Sequence, residues 1–374
     1  MPRVLIVQEH LPEFRVPFFE QLRDLLSSKH IDLQLVYAPN QRNTYLRGTL
    51  AWACPVPIHW IGPVGWQPIM TLARKSDLVI VQQELKYLAY PIIQILSKLG
   101  GPPLAYWGHG KNFQDRESKS FASDVKKYLS TQVHWWFAYN DLSASIVREM
   151  GYPKERITSV GNAIDTRKLV QRRESLTPDE IARARAELGL KSENVAIYTG
   201  GIYANKRINF LIEAALHIRS QVPDFELIVI GEGPDRHLVT AAAEQFSWIH
   251  DLGPKNDHDK VPYWAVSKLL LIPGLVGLVV VDSFALGVPL VTTDYPFHSP
   301  EIDYLNHGVN GIIVNCGDST EQFATSVVNL LGDVSQITSL STGALKSAGD
   351  YTIEKMAQSF AQGIQLALSA PTLK

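Results

Sequence analysis

Short apolar runs alternate with helix-length patterns along this chain, and the alternation is run through twice. In the first half, residues 4–7, 33–37, 78–81, 104–107 and 135–139 read as buried strands, with helical patterns such as 16–26 and 85–99 between them. Residues 156–160 add a sixth candidate strand, closed by the turn Gly161-Asn162. Strands separated by helices return as parallel neighbours, with the helices laid on both faces of the sheet. The stretch 166–178 is charged and poor in large apolar side chains, so it reads as a linker. Beyond it the pattern restarts, with strands expected at 195–199, 225–230, 269–272, 290–293 and 311–314. Helices are expected at 207–220, 235–245, 320–331 and, after a break at Gly349-Asp350-Tyr351, at 353–368.

The predicted fold is therefore α/β, with two tandem Rossmann-like, doubly wound parallel-sheet domains over residues 1–165 and 166–351. A chain of 374 residues exceeds one ordinary core, which agrees with two. Open parallel sheets bind ligands beyond the carboxyl ends of their strands, so the two domains are expected to face one cleft. The totals narrow the class further. A hydrophobic share of 45% and a charged share of 19% describe a soluble globular protein, and a net charge of −2 argues against a nucleic-acid partner. Cys54 and Cys316 make no disulfide framework, and the N-terminus turns polar too soon for a signal peptide. No apolar run approaches the roughly 18 residues of a membrane span. The expected location is cytoplasmic, with any membrane contact peripheral.

Four segments carry candidate chemistry. Residues 271–315 read LIPGLVGLVVVDSFALGVPLVTTDYPFHSPEIDYLNHGVNGIIVN. An apolar run ends at Pro273-Gly274, and Gly277-Leu278 then opens a small-residue helix bearing Asp282. A helix N-terminus at a sheet edge, with its unpaired amides, suits a phosphate. Asp282 and Glu301 can take sugar hydroxyls there, or can simply favour their own helix starts. The run Gly200-Gly201-Ile202-Tyr203-Ala204-Asn205-Lys206-Arg207 joins a strand to a helix. Its glycines allow close backbone approach, and its cations suit a phosphate better than a bare helix start. Gly231-Glu232-Gly233-Pro234 also follows a strand, but Gly-x-Gly alone reads first as a turn. Trp107-Gly108-His109-Gly110 ends a strand of the first half and exposes His109 at the sheet edge. No zinc spacing, Gly-x-Ser-x-Gly elbow or Walker loop occurs. Trp135 and Trp136 abut a strand and read as core.

Together these segments resemble the retaining glycosyltransferases of GT-B fold, in the large bacterial "group 1" family. The resemblance covers nearly the whole chain and is best over residues 161–315. Val160-Gly161-Asn162-Ala163-Ile164-Asp165 is similar to the family's Asn-Gly-Val-Asp interdomain signature. Residues 200–206 resemble its glycine-to-lysine phosphate loop, 231–234 its Gly-x-Gly-Pro turn, and 271–301 its donor block. The resemblance implies that the C-terminal helix, 352–374, packs back on the first domain. It implies that Lys206 neutralises the donor diphosphate, helped by Arg207 and by the backbone of Gly200, Gly201, Gly277 and Leu278. Asp282 is implied to hold the nucleotide ribose, Glu301 to lie near the donor sugar or its phosphates, and His109 to reach the sugar. No metal and no cofactor are implied, the nucleoside diphosphate sugar being a substrate. Three departures stand out. The family's pair of glutamates eight positions apart is here Gly274 and Asp282. Its phosphate-loop arginine is here Gly201. Its glycine-rich acceptor loop is also replaced, by Glu9-His10-Leu11-Pro12-Glu13-Phe14-Arg15, where Arg15 stands as an acceptor-side candidate for an anionic group or for the donor phosphate, or as a solvated charge at a helix start.

The leading expectation is a hexosyltransferase acting on a saccharide or lipid-linked saccharide acceptor in surface polysaccharide or lipopolysaccharide assembly. Lys126, Lys127 and the segment 85–99 offer a mixed basic and apolar surface for peripheral membrane contact, or ordinary packing. The alternatives are a non-catalytic nucleotide-sugar-binding or transferase-partner protein, motivated by Gly274 and Gly201, and a nucleotide-sugar epimerase of the same architecture.

Overall fold

The computed structural model describes residues 1–39, 48–84, 86–110 and 127–372. The first unit comprises residues 1–165 and 352–374, and the second comprises 166–351.

In the first unit the apolar runs become the strands β1 (Arg3–Gln8), β2 (Asp32–Tyr37), β3 (Cys54–Pro55), β6 (Leu78–Gln82), β7 (Leu104–Gly108), β8 (Trp135–Ala138) and β9 (Ile157–Ser159). Between β3 and β6 lies an antiparallel hairpin, β4 (His59–Ile61) with β5 (Val64–Trp66). The sheet order is β3-β2-β1-β6-β7-β8-β9, and all neighbours are parallel. Val4, Leu5, Ile6 and Val7 are all fully buried, because helices cover both faces of such a sheet. The strand period then sorts them. Val4 and Ile6 join a core with Phe18, Trp107, Phe137 and Phe360, while Leu5 and Val7 join Tyr87, Tyr90, Tyr106 and Trp136.

The C-terminal helix Ile353–Ser369 belongs to the first of those cores. The Phe360 ring stacks on Phe137 at 4.4 Å between centroids. Gly363 permits the approach, since a Cβ there would lie 2.6 Å from Thr158 Oγ1. Trp135 and Trp136 are core residues, each with its indole N–H satisfied, by Thr158 Oγ1 and the Ser130 carbonyl.

The second unit is built from β10 (Val195–Gly201), β11 (Glu226–Glu232), β12 (Ile249–Asp251), β13 (Leu269–Leu271), β14 (Leu290–Thr293) and β15 (Gly311–Val314). Their order is β12-β11-β10-β13-β14-β15, again all parallel. The chain leaves β10 in one direction to β11 and later in the other to β13. That reversal opens a crevice at the strand ends between β10 and β13.

Several elements differ from the sequence expectation. The expected linker 166–178 is mostly helix, Arg167–Glu174, followed by a second helix, Pro178–Glu187. Leu169 is buried, Arg172 meets Glu180 at 2.6 Å, and Thr177 with Glu180 forms a capping box, so charge here marks an anchored helix pair. The helix Asp257–Ala265 and the strand β12 were not read, and neither was the helix Val334–Ala348. In the first unit, the segment read as 85–99 is helical over Ala89–Lys98, and Leu85 lies outside the described residues.

Candidate functional site

In the second unit, β10 and β11 carry glycines near their carboxyl ends, where their backbones come close. Gly200 has φ +138°, and a Cβ on its register partner Gly231 would lie 2.1 Å from the Gly200 carbonyl oxygen. Gly233 is closed in the same way by the backbone of Ile202, which accounts for the Gly231–Pro234 turn in structural terms. From Gly201 the chain passes through a short turn, Ala204–Lys206, and Arg207 adopts left-handed φ 58° before the helix Ile208–Gln221 starts.

Lys206 is buried, and its Nζ donates to the Leu275 carbonyl at 2.6 Å. Burial lowers its ammonium to about 8, with the Glu301 carboxylate pulling the other way. Glu301 is itself buried, in the turn Pro300–Tyr304 that follows β14. Lys206 and Glu301 thus share one electrostatic neighbourhood.

The loop after β13 is held from both sides. Leu275 N–H donates to the Asn205 carbonyl at 2.8 Å, and Thr293 Oγ1 donates to the Pro273 carbonyl at 2.7 Å. Val276 N–H donates to His298 Nδ1 at 3.0 Å, and Ser299 N–H donates to the Val276 carbonyl. His298 Nε2 is 2.9 Å from the Thr293 carbonyl. That pair of bonds fits a neutral ring protonated on Nε2, and burial lowers the His298 pKa in the same sense. His298 thus braces the loop after β13, a role the sequence does not mark. Its only trace there is a lone histidine just past a strand end.

Gly274 is a steric requirement. A Cβ there would lie 2.3 Å from the Asn205 carbonyl oxygen and 2.6 Å from the Lys206 carbonyl carbon. Gly277 is different, for its Cβ position meets nothing nearer than Ser299 Oγ at 3.8 Å. Open space thus lies beside Gly277, just before the helix Val279–Leu286 begins at Leu278. Backbone amides at that helix start, next to a buried ammonium, are a donor set for a polyanion.

Asp282 lies in the first turn of this helix and is buried. Its Oδ2 accepts from Lys260 Nζ at 2.8 Å, and Oδ1 is buried without a hydrogen-bond partner. Arg207 does not turn toward Lys206. Its guanidinium meets Asp318 at 2.7 Å and Thr293 Oγ1 at 3.4 Å, and lies over the Phe210 ring at 4.1 Å.

In the first unit, His109 follows β7 and packs edge-on to Tyr139 at 4.1 Å. Burial, with Arg15 nearby, lowers its imidazole to about 4, so it is neutral at pH 7. Arg15 is buried, not a solvated charge at a helix start. Its guanidinium donates to Asn162 Oδ1 and the Ala163 carbonyl, and lies 5.6 Å from the Trp107 ring centre. It ties the start of the first long helix to the last residues before the second unit.

Two tandem α/β units with parallel sheets of this order define the GT-B architecture. The whole chain superposes on Anabaena Alr3699/HepE in complex with UDP, with TM-score 0.69 at 16% identity, covering 98% of this chain and all of that one. WaaG, a glycosyltransferase involved in lipopolysaccharide biosynthesis, gives TM-score 0.67 at 15% identity over 96% of this chain and 98% of its own. Residues 193–333 match the family described as Glycosyl transferases group 1, and the chain has the GT-B fold. It is 22% identical over 331 residues to the putative glycosyltransferase EpsD of Bacillus subtilis, covering 84% of this chain and 82% of that protein.

Proposed function

We propose that this protein is a glycosyltransferase that moves a hexose, with retention, from a nucleoside diphosphate sugar to a saccharide or lipid-linked saccharide acceptor in surface polysaccharide or lipopolysaccharide assembly. The observation that carries the reading is Lys206, a buried ammonium beside glycine turns and an open helix start. Charge develops on the diphosphate as the glycosidic phosphate bond breaks. A positioned cation and preorganised amides at Gly277 and Leu278 stabilise that charge more than the ground state. Protein cations then do the work of a metal ion, so transfer is proposed to be metal-independent. Asp282 is assigned to the ribose, Glu301 to the donor sugar or its phosphates, and His109 to the sugar as a neutral hydrogen-bonding partner. The acceptor attacks on the face from which the phosphate leaves, and no covalent enzyme intermediate is invoked.

The structural relatives named above make UDP-sugars the first donors to try. Thermal shift against a panel of nucleoside diphosphate sugars, followed by transfer assays with EDTA present, tests the proposal. Lys206→Ala is expected to slow transfer by about 100-fold or more in a folded protein. Near-normal turnover in that variant rejects its role. Binding without transfer to any acceptor points instead to a non-catalytic partner, and an altered free sugar nucleotide points to an epimerase.

We also propose that the first unit meets an anionic bilayer that presents the acceptor. Leu88, Ile92, Ile95 and Leu99 form one exposed apolar face at helical spacing, with Ile95 61% and Leu99 77% exposed. Trp60 and Ile61 of the β4–β5 hairpin extend it, since Leu88 N–H bonds Gly65 at 3.0 Å. On the other flank, Gln94 donates to the Leu129 carbonyl, next to exposed Tyr128 and Lys127. The helix Ala89–Lys98, the hairpin and residues 127–132 contain no acidic residue, whereas Lys98 and Lys127 are present. Apolar anchors flanked by segments whose own charges are positive suit an anionic lipid surface. Lys126 lies outside the described residues.

A further inference from the structure

We propose that Lys260 is a positioning residue for the donor nucleotide, gripping Asp282 through Oδ2 so that Oδ1 is the oxygen left to accept a ligand hydroxyl. This rests on the reading of Asp282 as the ribose ligand. Asn256 caps the helix Asp257–Ala265, its side chain accepting from Asp259 N–H, and Lys260 follows one turn in. Lys260 Nζ lies 2.8 Å from Asp257 Oδ1 and 2.8 Å from Asp282 Oδ2. The Asp257 side chain is 57% exposed, whereas those of Lys260 and Asp282 are 12% and 10% exposed. The inner pair is therefore a largely desolvated charge pair on which a buried carboxylate depends.

The chemistry follows from that dependence. Two carboxylates hold the Lys260 ammonium above its ordinary range, so it stays charged. Burial pushes the Asp282 carboxyl up, and Lys260 is the charge that opposes it. Among the described residues, Lys260 is the cation whose charge acts on Asp282, although the packed helix Arg167–Glu174 also carries Arg167, Lys168, Arg172 and Arg173. Arg173 donates to the Ala285 carbonyl at the far end, the turn Pro300–Tyr304 brings Glu301 and Asp303, and the helix Val334–Ala348 carries only Lys346. A carboxyl oxygen left buried and unpaired, as Oδ1 is, gains strongly from an incoming donor. Aspartate also reaches one methylene less far than glutamate, so its rotamer must be held for a ligand to find it. Lys260 supplies that hold.

The test uses the full chain, UDP as the probe, and calorimetric titration between pH 6 and 8.5 on wild type, Lys260→Met, Lys260→Arg and Asp282→Asn. Affinities are read as ratios to wild type at each pH. Lys260→Met should bind about tenfold more weakly at pH 7 and recover as pH rises, because the unassisted carboxyl ionises later. Lys260→Arg should stay near wild type, and Asp282→Asn should be weak at every pH. Wild-type affinity in Lys260→Met, or a loss equal at every pH, overturns the proposal. UDP affinity unchanged in Asp282→Asn rejects the ribose reading instead.

Thermal melts without ligand test the pairing alone. In Lys260→Met the folded pKa of Asp282 rises further above its unfolded value. Its deficit in Tm against wild type should therefore widen as pH rises from about 4 toward 8, and should lose that pH dependence in an Asp282→Asn background. A deficit flat with pH in both backgrounds overturns the pairing.

Discussion

Gly274 shows how one backbone position decides what a site can hold. The peptide of Asn205 and Lys206 fills the space where a side chain at 274 would begin. The close approach also lets Lys206 Nζ reach the Leu275 carbonyl. A glutamate therefore cannot stand here, and its departure from the family pattern belongs to the packing of this loop. Gly274→Ala is expected to cost about 3 kcal/mol in denaturant unfolding. Wild-type stability in that variant would show the loop to be slack. Lys206 gives a pH signature. An anionic donor needs the ammonium, so affinity should hold below pH 8 and then weaken toward tenfold per unit above it, by titration of binding. The free protein should respond with opposite sign. Its folded pKa lies below the unfolded one, so this group's destabilisation is complete below about pH 8 and lifts as pH rises toward about 10. Lys206 and Glu301 were legible as sequence because each follows a strand end. Lys260 and His298 were not, because what marks them is a partner 22 residues away in each case.

At the scale of elements, helices with weak local signals are the ones that were missed. Val334–Ala348 is rich in Ser and Thr and contains Gly343, so its propensity is poor. Packing overrides that. Leu340 and Ala344 are buried, and a Cβ at Gly343 would fall on the Val309 carbonyl oxygen, so only glycine lets the helix sit there. The helix Ala89–Lys98 shows the reverse case, an apolar pattern wider than one buried face. Its inner residues Ala89, Tyr90 and Ile93 meet the core, while Ile92, Ile95 and Leu99 face outward. Ile92→Asp with Ile95→Asp is expected to abolish co-sedimentation with phosphatidylglycerol vesicles while leaving the Tm within a few degrees. Binding of wild type should weaken with salt and be slight on neutral phosphatidylcholine. Equal sedimentation of wild type and variant would remove the membrane from the proposal.

At the scale of the whole molecule, the first unit is discontinuous in sequence. Its core needs Met356, Phe360 and Ile364 from the last helix, after the second unit has intervened. A chain ending at residue 351 should therefore lose amide protection in β7 and β8 while β10 and β11 keep theirs, by hydrogen exchange. Equal protection in both sheets would show the last helix to be dispensable. The alternation of strands and helices, two parallel sheets, and the placing of Lys206, Glu301 and His109 after strand ends were determined by the sequence alone. Burial on both faces writes itself into consecutive apolar residues, and a strand-to-helix turn writes itself into glycine. Only the tertiary structure decided that Gly274 excludes a side chain, that Arg207 turns to Asp318 and Arg15 to Asn162, and that Lys260 grips Asp282. Local pattern reports the period and burial of one segment, whereas these pairings arise where separate segments meet and compete for the same space and charge.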